Sequence, residues 1–243
     1  MNAHEEKIIV ALDVSTKREM AELLGRIAQP GCYVKVGMEL YLQEGADILR
    51  FLKAGGYKVF LDLKLHDIPH TVYRSMRGLA RLGADMVNVH AAGGMEMMRA
   101  AHEGLVDECG AERPICLAVT QLTSTDQVML RSELLIDRPM VDVIAHYGGL
   151  AHQAGLDGVV CSAWEAQALK ASTCAQFLAV TPGIRLASDA PGDQKRVATP
   201  ARARELGSDY IVVGRSITAA KDPAAAFRAV AADWRNETCN ITN

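Results

Sequence analysis

The sequence predicts an α/β fold, a single-domain closed (β/α)8 barrel of the TIM type over residues 1–243. Three observations predict it. Short runs of Val, Ile and Leu alternate with helical segments along the chain, so the strands should be parallel and covered on both faces. Eight such units fit a chain of 243 residues that is 49% hydrophobic, enough for one large core and uninterrupted by a linker or low-complexity stretch. Polar residues recur at the C-terminal ends of the strands, where the loops of a closed barrel converge on one mouth. The rival architecture, an open doubly wound sheet, usually carries a Gly-x-Gly-x-x-Gly turn after an early strand, and none follows the first strand here.

A first strand over 7–13 precedes a capping candidate, Ser15 or Thr16, and a helix with Met20, Leu23, Leu24 and Ile27 at helical spacing. The second strand, 32–37, leads into a helix over 39–53 that Gly55 and Gly56 stop. The third begins at Lys58, and Pro69 opens its helix, which runs to about Leu82 with Gly83 at its end. A fourth strand, 85–90, meets Gly93 and Gly94 and a helix to Cys109. The fifth, 115–121, precedes a helical region reaching Gln153 that Pro139 breaks. The sixth, 158–161, is followed by a helix over 163–170, and the seventh, 177–181, runs into Pro182 and Gly183. The eighth, 210–213, opens through Gly214, Arg215 and Ser216.

A net charge of −3 with dispersed basic residues and no aromatic platform offers no nucleic-acid groove, so a small-molecule ligand is expected. No apolar run approaches the roughly 18 residues a membrane span needs, and the start lacks the apolar stretch of a signal peptide. A cytoplasmic protein without a membrane partner is the expectation. The six cysteines show no Cys-x-x-Cys spacing, which argues against a zinc cage or disulfide framework. Asn236 and Asn240 match the glycosylation pattern, a match read as accidental in a chain without a secretion signal.

The chemistry concentrates in 58–71. Strand alternation puts Leu61, Leu63 and Leu65 on one face and Phe60, Asp62 and Lys64 on the other. With both faces of the sheet covered, Asp62 and Lys64 should be screened from water, an expensive arrangement for a pair that does nothing. Pro69 biases Ile68 away from helix, so Asp67 belongs to the turn leaving the strand, and two carboxylates should meet one ammonium there. A barrel would add Asp13, Lys35, His90 and Thr123 to the same mouth. His90 reads equally as a hydrogen-bonded histidine beside the site or as a participant in it. Backbone N–H groups after the eighth strand, with Arg215 as clamp, suggest phosphate, and the long segment 183–197, carrying Arg185 and Gln194, reads as a lid. His66 and His70 stand one helical turn apart, but Pro69 lies between them and no Glu accompanies them, so no metal is expected.

At these motifs the sequence resembles the orotidine 5'-monophosphate decarboxylase family of pyrimidine biosynthesis over nearly its whole length. The carriers are Ala-Leu-Asp13, Val-Lys35-Val-Gly, Asp62-Leu-Lys64-Leu-His-Asp67-Ile-Pro-His-Thr71, His90-Ala-Ala-Gly-Gly, Gln-Leu-Thr123-Ser, Thr-Pro182-Gly-Ile-Arg185, Gly192-Asp-Gln194 and Val-Gly214-Arg215. The resemblance implies loss of CO2 from C6 of orotidylate to give uridylate (UMP), with no metal or organic cofactor. It implies Lys64 as proton donor to C6, Asp62 beside the departing carboxylate, and Asp67 reaching the site from the partner subunit of a homodimer with shared active sites. It further implies ribose contacts from Asp13 and Lys35, and contacts from Ile68 and Thr71 to the neighbouring subunit's ligand. Thr123 would lie at the pyrimidine, with Pro182 at the site and Arg185, Gln194, Gly214 and Arg215 around the phosphate end. Two rival readings remain. One is a magnesium-dependent enzyme of the same superfamily acting on sugar phosphates, whose members carry a Glu metal ligand where this chain has Lys35. The other is a non-catalytic nucleotide-binding barrel.

Overall fold

The computed structural model describes residues 7–27, 29–187, 189 and 197–236. Eight parallel strands close into a barrel in sequence order: β1 (Ile8–Ala11), β2 (Tyr33–Gly37), β3 (Lys58–Leu65), β4 (Met86–His90), β5 (Ile115–Val119), β6 (Gly158–Val160), β7 (Leu178–Thr181) and β8 (Tyr210–Val213). Closure comes from pairing of β1 with both β2 and β8. The alternation of side chains divides the apolar residues into an inner and an outer core. Ile9, Tyr33, Phe60, Met86, Leu117 and Val180 fill the barrel, whereas Val10, Val34, Val59, Val87 and Ala118 face the surrounding helices. At the N-terminal end Tyr33 and Tyr210 meet edge to face at 5.8 Å, with Lys7 and Lys58 over their rings. Among the described residues these rings plug that end, and the two cavities that reach Val212, one of them also Phe60, lie where the strands end.

The helices follow the apolar periodicity. They are α1 (Lys17–Ile27), α2 (Met38–Glu44), α3 (Asp47–Ala54), α4 (Pro69–Arg81), α5 (Gly94–Cys109), α6 (Gln127–Ser132), α7 (Met140–Gln153), α8 (Ala163–Ser172), α9 (Pro200–Glu205), α10 (Arg215–Thr218) and α11 (Pro223–Arg235). Helix α1 buries Met20, Leu23, Leu24 and Ile27, as their spacing predicts. Ser162 and Glu165 form a reciprocal capping box on α8. Helices α4 and α5 pack so closely that a Cβ at Gly104 would stand 2.4 Å from the Tyr73 carbonyl oxygen, so glycine is required there.

Four expectations need correction. The helix expected over 39–53 is two helices, because Gly45 takes φ +67° and ends α2. The first strand stops at Ala11 and the fifth at Val119, leaving Leu12 and Asp13, and Thr120 and Gln121, in the segments that follow. The alternation in β3 does not run uninterrupted: Leu61 pairs with Val87 and Leu65 with Val89, so Asp62, Leu63 and Lys64 bulge opposite Asn88 alone. The break at Pro139 is where it was expected, with α7 starting directly after it.

A repeated bracket ties three neighbouring strand pairs, β3 with β4, β5 with β6 and β7 with β8, at the plugged end. Asp85, Asp157 and Asp209 each follow a positive-φ glycine by two residues, at Gly83, Gly155 and Gly207. Each donates its backbone N–H to a strand carbonyl, of Val59, Cys116 and Ala179 respectively, and each carboxylate accepts the N–H of that same residue at 2.7–2.8 Å. A cation from the preceding segment, Lys53, Arg113 or Lys170, pairs with the carboxylate at 2.6–2.8 Å. Removing one of these carboxylates would strand a buried N–H and a half-buried cation. Asp157→Ala is therefore expected to lower stability by about 2 kcal/mol in urea unfolding, whereas Asp137→Ala, which breaks an exposed pair with Arg131, changes it little.

Candidate active site

The polar residues at the strand ends assemble into a chain of alternating charge. Lys35, from β2, donates to Asp13 Oδ1 at 3.0 Å and lies 3.5 Å from Asp62 Oδ2. Lys64, from β3, donates to Asp62 Oδ1 at 2.7 Å. Asp62 is the most enclosed of the four, with a side chain 12% exposed against 65% for Asp13. Burial alone would raise the Asp62 carboxyl's pKa. The Lys35 and Lys64 ammoniums, with hydrogen bonds from Lys64 and Asn88, outweigh it and hold that pKa below the ordinary carboxylate value.

Lys64 has φ +53°, in the left-handed region that a side chain normally avoids. Its backbone N–H donates to Asn88 Oδ1 at 2.7 Å, and Asn88 Nδ2 donates to the same Asp62 oxygen that receives the lysine ammonium, also at 2.7 Å. Asn88 was not singled out in the sequence. Its signal was a polar residue on the inward face of an otherwise apolar strand, in register with Met86 and His90. Gln121, 8% exposed beside the site, was also missed.

Two adjoining cavities share Lys35, Pro182 and Val212. The larger, about 450 Å³, lies over Asp13, Gly183, Arg185, Gly214 and Arg215. The smaller, about 170 Å³, reaches down to Phe60, Asp62, Lys64, Gln121, Thr123 and Val160. The structure thus gathers Asp13, Lys35, Asp62, Lys64, Thr123, Pro182, Arg185, Gly214 and Arg215 around one continuous cleft. Gln194, expected at the same place, lies outside the described residues, as does most of the expected lid. His90 stands beside the site, its Nδ1 accepting the Ala92 N–H at 3.2 Å and its ring stacked on His66 at 5.7 Å. Burial, reinforced by His66 and Lys64, pushes its pKa down, which favours the neutral imidazole.

The expected meeting of two carboxylates with one ammonium does not occur within a single chain. Asp67 is exposed, accepts the Ile68 N–H at 2.7 Å and makes no ion pair with Lys64 among the described residues. Ile68 and Thr71 are exposed as well, and none of the three lines either cavity. Asp67 and Ile68 lie in the turn after β3 and Thr71 in the first turn of α4, all three outside the lining of their own cleft.

The Orotidine 5'-phosphate decarboxylase / HUMPS family matches residues 6–230. The chain belongs to that family. A Bacillus caldolyticus protein named orotidine 5'-phosphate decarboxylase is 60% identical over 228 residues, 93% of each chain. One of the same name from Geobacillus thermodenitrificans is 57% identical, covering 93% of this chain and 95% of its own. Among solved structures, that of orotidine 5'-phosphate decarboxylase from Lactobacillus acidophilus superposes with a TM-score of 0.85 at 41% identity, over 94% of this chain and 99% of that one. An uncharacterized conserved protein from Geobacillus kaustophilus superposes at 0.84 with 54% identity, over 93% and 99%. Family membership thus agrees with the closed barrel and with the motifs that line its mouth.

What the arrangement can do follows from its charges. An ammonium held against a carboxylate at the floor of a largely apolar cavity can deliver a proton to an atom placed there. Because the folded state holds the Asp62 pKa below its unfolded value, this group adds stability above the unfolded pKa of about 3.9 and loses it as pH falls through the folded value. Urea midpoints measured against pH should therefore fall in acid for the parent protein. The gap between parent and Asp62→Asn should narrow below about pH 4.

Proposed function

We propose that the protein is a carboxy-lyase that converts orotidine 5'-phosphate to uridine 5'-phosphate, the last step of de novo UMP synthesis, without a metal or organic cofactor. The observation that carries this reading is the Lys35–Asp62–Lys64 arrangement at the floor of a cleft whose far end holds Arg185 and Arg215. The substrate's pyrimidine fits the smaller cavity beside Thr123, its ribose reaches Asp13 and Lys35, and its phosphate lies by Arg185, Gly214 and Arg215. The bond from C6 to the carboxylate breaks and CO2 departs, leaving the electron pair on C6. Lys64 Nζ gives its proton to that carbon and later recovers one from water. A cationic acid must already stand there because the carbanion has no obvious electron sink, and an arginine would hardly release its proton. Asp62 lies where the substrate carboxylate would arrive, so like-charge repulsion is relieved as CO2 leaves.

Asp67, Ile68 and Thr71 fit this reading as donors to the site of a second copy in a homodimer, since they are exposed and do not line their own cleft. The segment 183–197 fits as a lid over the phosphate end, in a single-domain barrel. Its stem is clasped where Ala198 donates to the Gly183 carbonyl, and Asp189 accepts the Ser216 hydroxyl beside the β8 turn. The magnesium-dependent alternative is disfavoured by charge. A divalent ion between Asp13 and Asp62 would meet the Lys35 ammonium already placed there.

Mixing orotidylate with the protein in excess EDTA is expected to change the ultraviolet absorbance of the ring, and Lys64→Ala should abolish the change while still binding uridylate. No change with the parent would sink the decarboxylase reading. The shared site has its own test. Lys64→Ala and Asp67→Ala are each expected to be inactive alone. Mixed and allowed to exchange subunits, they should recover about a quarter of the parental activity, because half the dimers then carry one intact site. No recovery, or an active monomer by light scattering on dilution, would confine Asp67 to its own chain.

A further inference from the structure

Asn88 touches no atom of the proposed reaction, yet it is 1% exposed and spends both ends of its carboxamide on the catalytic pair. Its Oδ1 accepts the N–H of Lys64, whose φ of +53° marks the bulge, and its Nδ2 donates to Asp62 Oδ1. We propose that Asn88 is a positioning residue, which holds the Lys64 backbone in the bulge and sets the rotation of the Asp62 carboxylate. The inference rests on the decarboxylase reading.

The chemistry of the two partners dictates the residue type. The Lys64 N–H requires an acceptor, and the Asp62 carboxylate, which can only accept, requires a donor. A carboxamide supplies one of each about 2.2 Å apart in a single plane. A hydroxyl would have to reach both partners with one atom, and a hydrocarbon would leave a buried N–H and one carboxylate lone pair unsatisfied. With Nδ2 on Oδ1, the carboxylate presents that oxygen to Lys64 and turns the other towards Lys35, at 2.7 and 3.5 Å. Without the carboxamide the carboxylate is free to rotate, and the bulge loses the hydrogen bond that fixes where the lysine side chain begins. Both changes displace the ammonium from the reacting carbon more than they alter the cavity walls that bind the nucleotide.

The charged and titratable groups facing Asn88 are Asp62 and Lys64 on β3, with Lys35 beyond them on β2, and His90 on its own strand with His66 stacked against it. On the other side β5 offers Leu117 in register. In Asn88→Asp, the new carboxyl would face Asp62 at hydrogen-bonding distance. Ionised, it repels Asp62 and cannot donate. Protonated, it donates its O–H to Asp62 and accepts the Lys64 N–H through its carbonyl, reproducing the carboxamide's pattern.

The test measures kcat, KM, uridylate affinity and Tm for the parent, Asn88→Ala and Asn88→Asp. Asn88→Ala is expected to lose about 100-fold in kcat while uridylate affinity stays within about threefold. The kcat of Asn88→Asp, relative to the parent at the same pH, should rise as pH is lowered from 8 towards 5. The inference is overturned if Asn88→Ala keeps kcat within about threefold of the parent, or if it loses nucleotide affinity as severely as kcat, as general collapse of the site would give. Should Asn88→Ala fail to fold, the Asn88→Asp ratio decides, and a ratio flat across pH overturns the inference. A parent protein that leaves orotidylate unchanged points instead to failure of the decarboxylase reading.

Discussion

The site depends on one constraint, the need to keep a carboxylate charged below the surface of a barrel. Asp62 cannot stay ionised there without compensation. The fold supplies it from two adjacent strands, with Lys35 on β2 and Lys64 following two residues later on β3. The β2–β3 register sets Gly37 opposite Asp62, which places Lys35 two residues before that pairing and on the same side of the sheet. Together with Asp13 the cluster carries two positive and two negative charges, formally zero. An arriving anion tips that balance, and its departure or neutralisation restores it.

The geometry has a local cost. A non-glycine residue in the left-handed region is disfavoured by about 1–3 kcal/mol, and Lys64 is such a residue. An ordinary strand would have carried its side chain along the regular inward row. The bulge opposite Asn88 displaces it, and Asn88 then holds the backbone while Asp62 holds the ammonium. Strain and hydrogen bonding are therefore two halves of one device. Either alone would leave the lysine less well defined.

Much of this was legible in the sequence because barrel periodicity is a short-range signal. The alternation of apolar runs with helices located all eight strands, and the residues at their C-terminal ends, Asp13, Lys35, Asp62 and Lys64, converge as the closed topology requires. What escaped depended on direction or pairing. The turn after β3 was placed correctly, but nothing local says that Asp67 leaves its own cleft. Gly45 splits a helix only because the chain there takes positive φ, which an isolated glycine in an amphipathic pattern does not announce. The Gly-x-Asp brackets at 83–85, 155–157 and 207–209 recur at unequal spacing, so they do not read as a repeat until the strands they join are seen side by side.

The two ends of the barrel use charge in opposite ways. At the plugged end each carboxylate is saturated by a strand N–H and a cation, an arrangement that closes the ladder and leaves little for a ligand to do. At the open end Asp13 is 65% exposed and Lys64 27% exposed, while the lysine between them, Lys35, is 13% exposed. Exposure is thus highest at Asp13 and lowest in the middle of the cluster, at Lys35 and Asp62, so a ligand meets Asp13 first and the Lys35–Asp62 contact stays screened. The cavities reinforce this polarity: the polar, arginine-flanked volume lies outward, and the smaller one walled by Phe60, Val119 and Val160 lies over the lysine. The two volumes thus offer different surroundings to an anionic tail and to a flat ring, arginines for the one and apolar walls over Lys64 for the other. The shape and charge of the barrel mouth itself therefore favour one orientation of such a ligand.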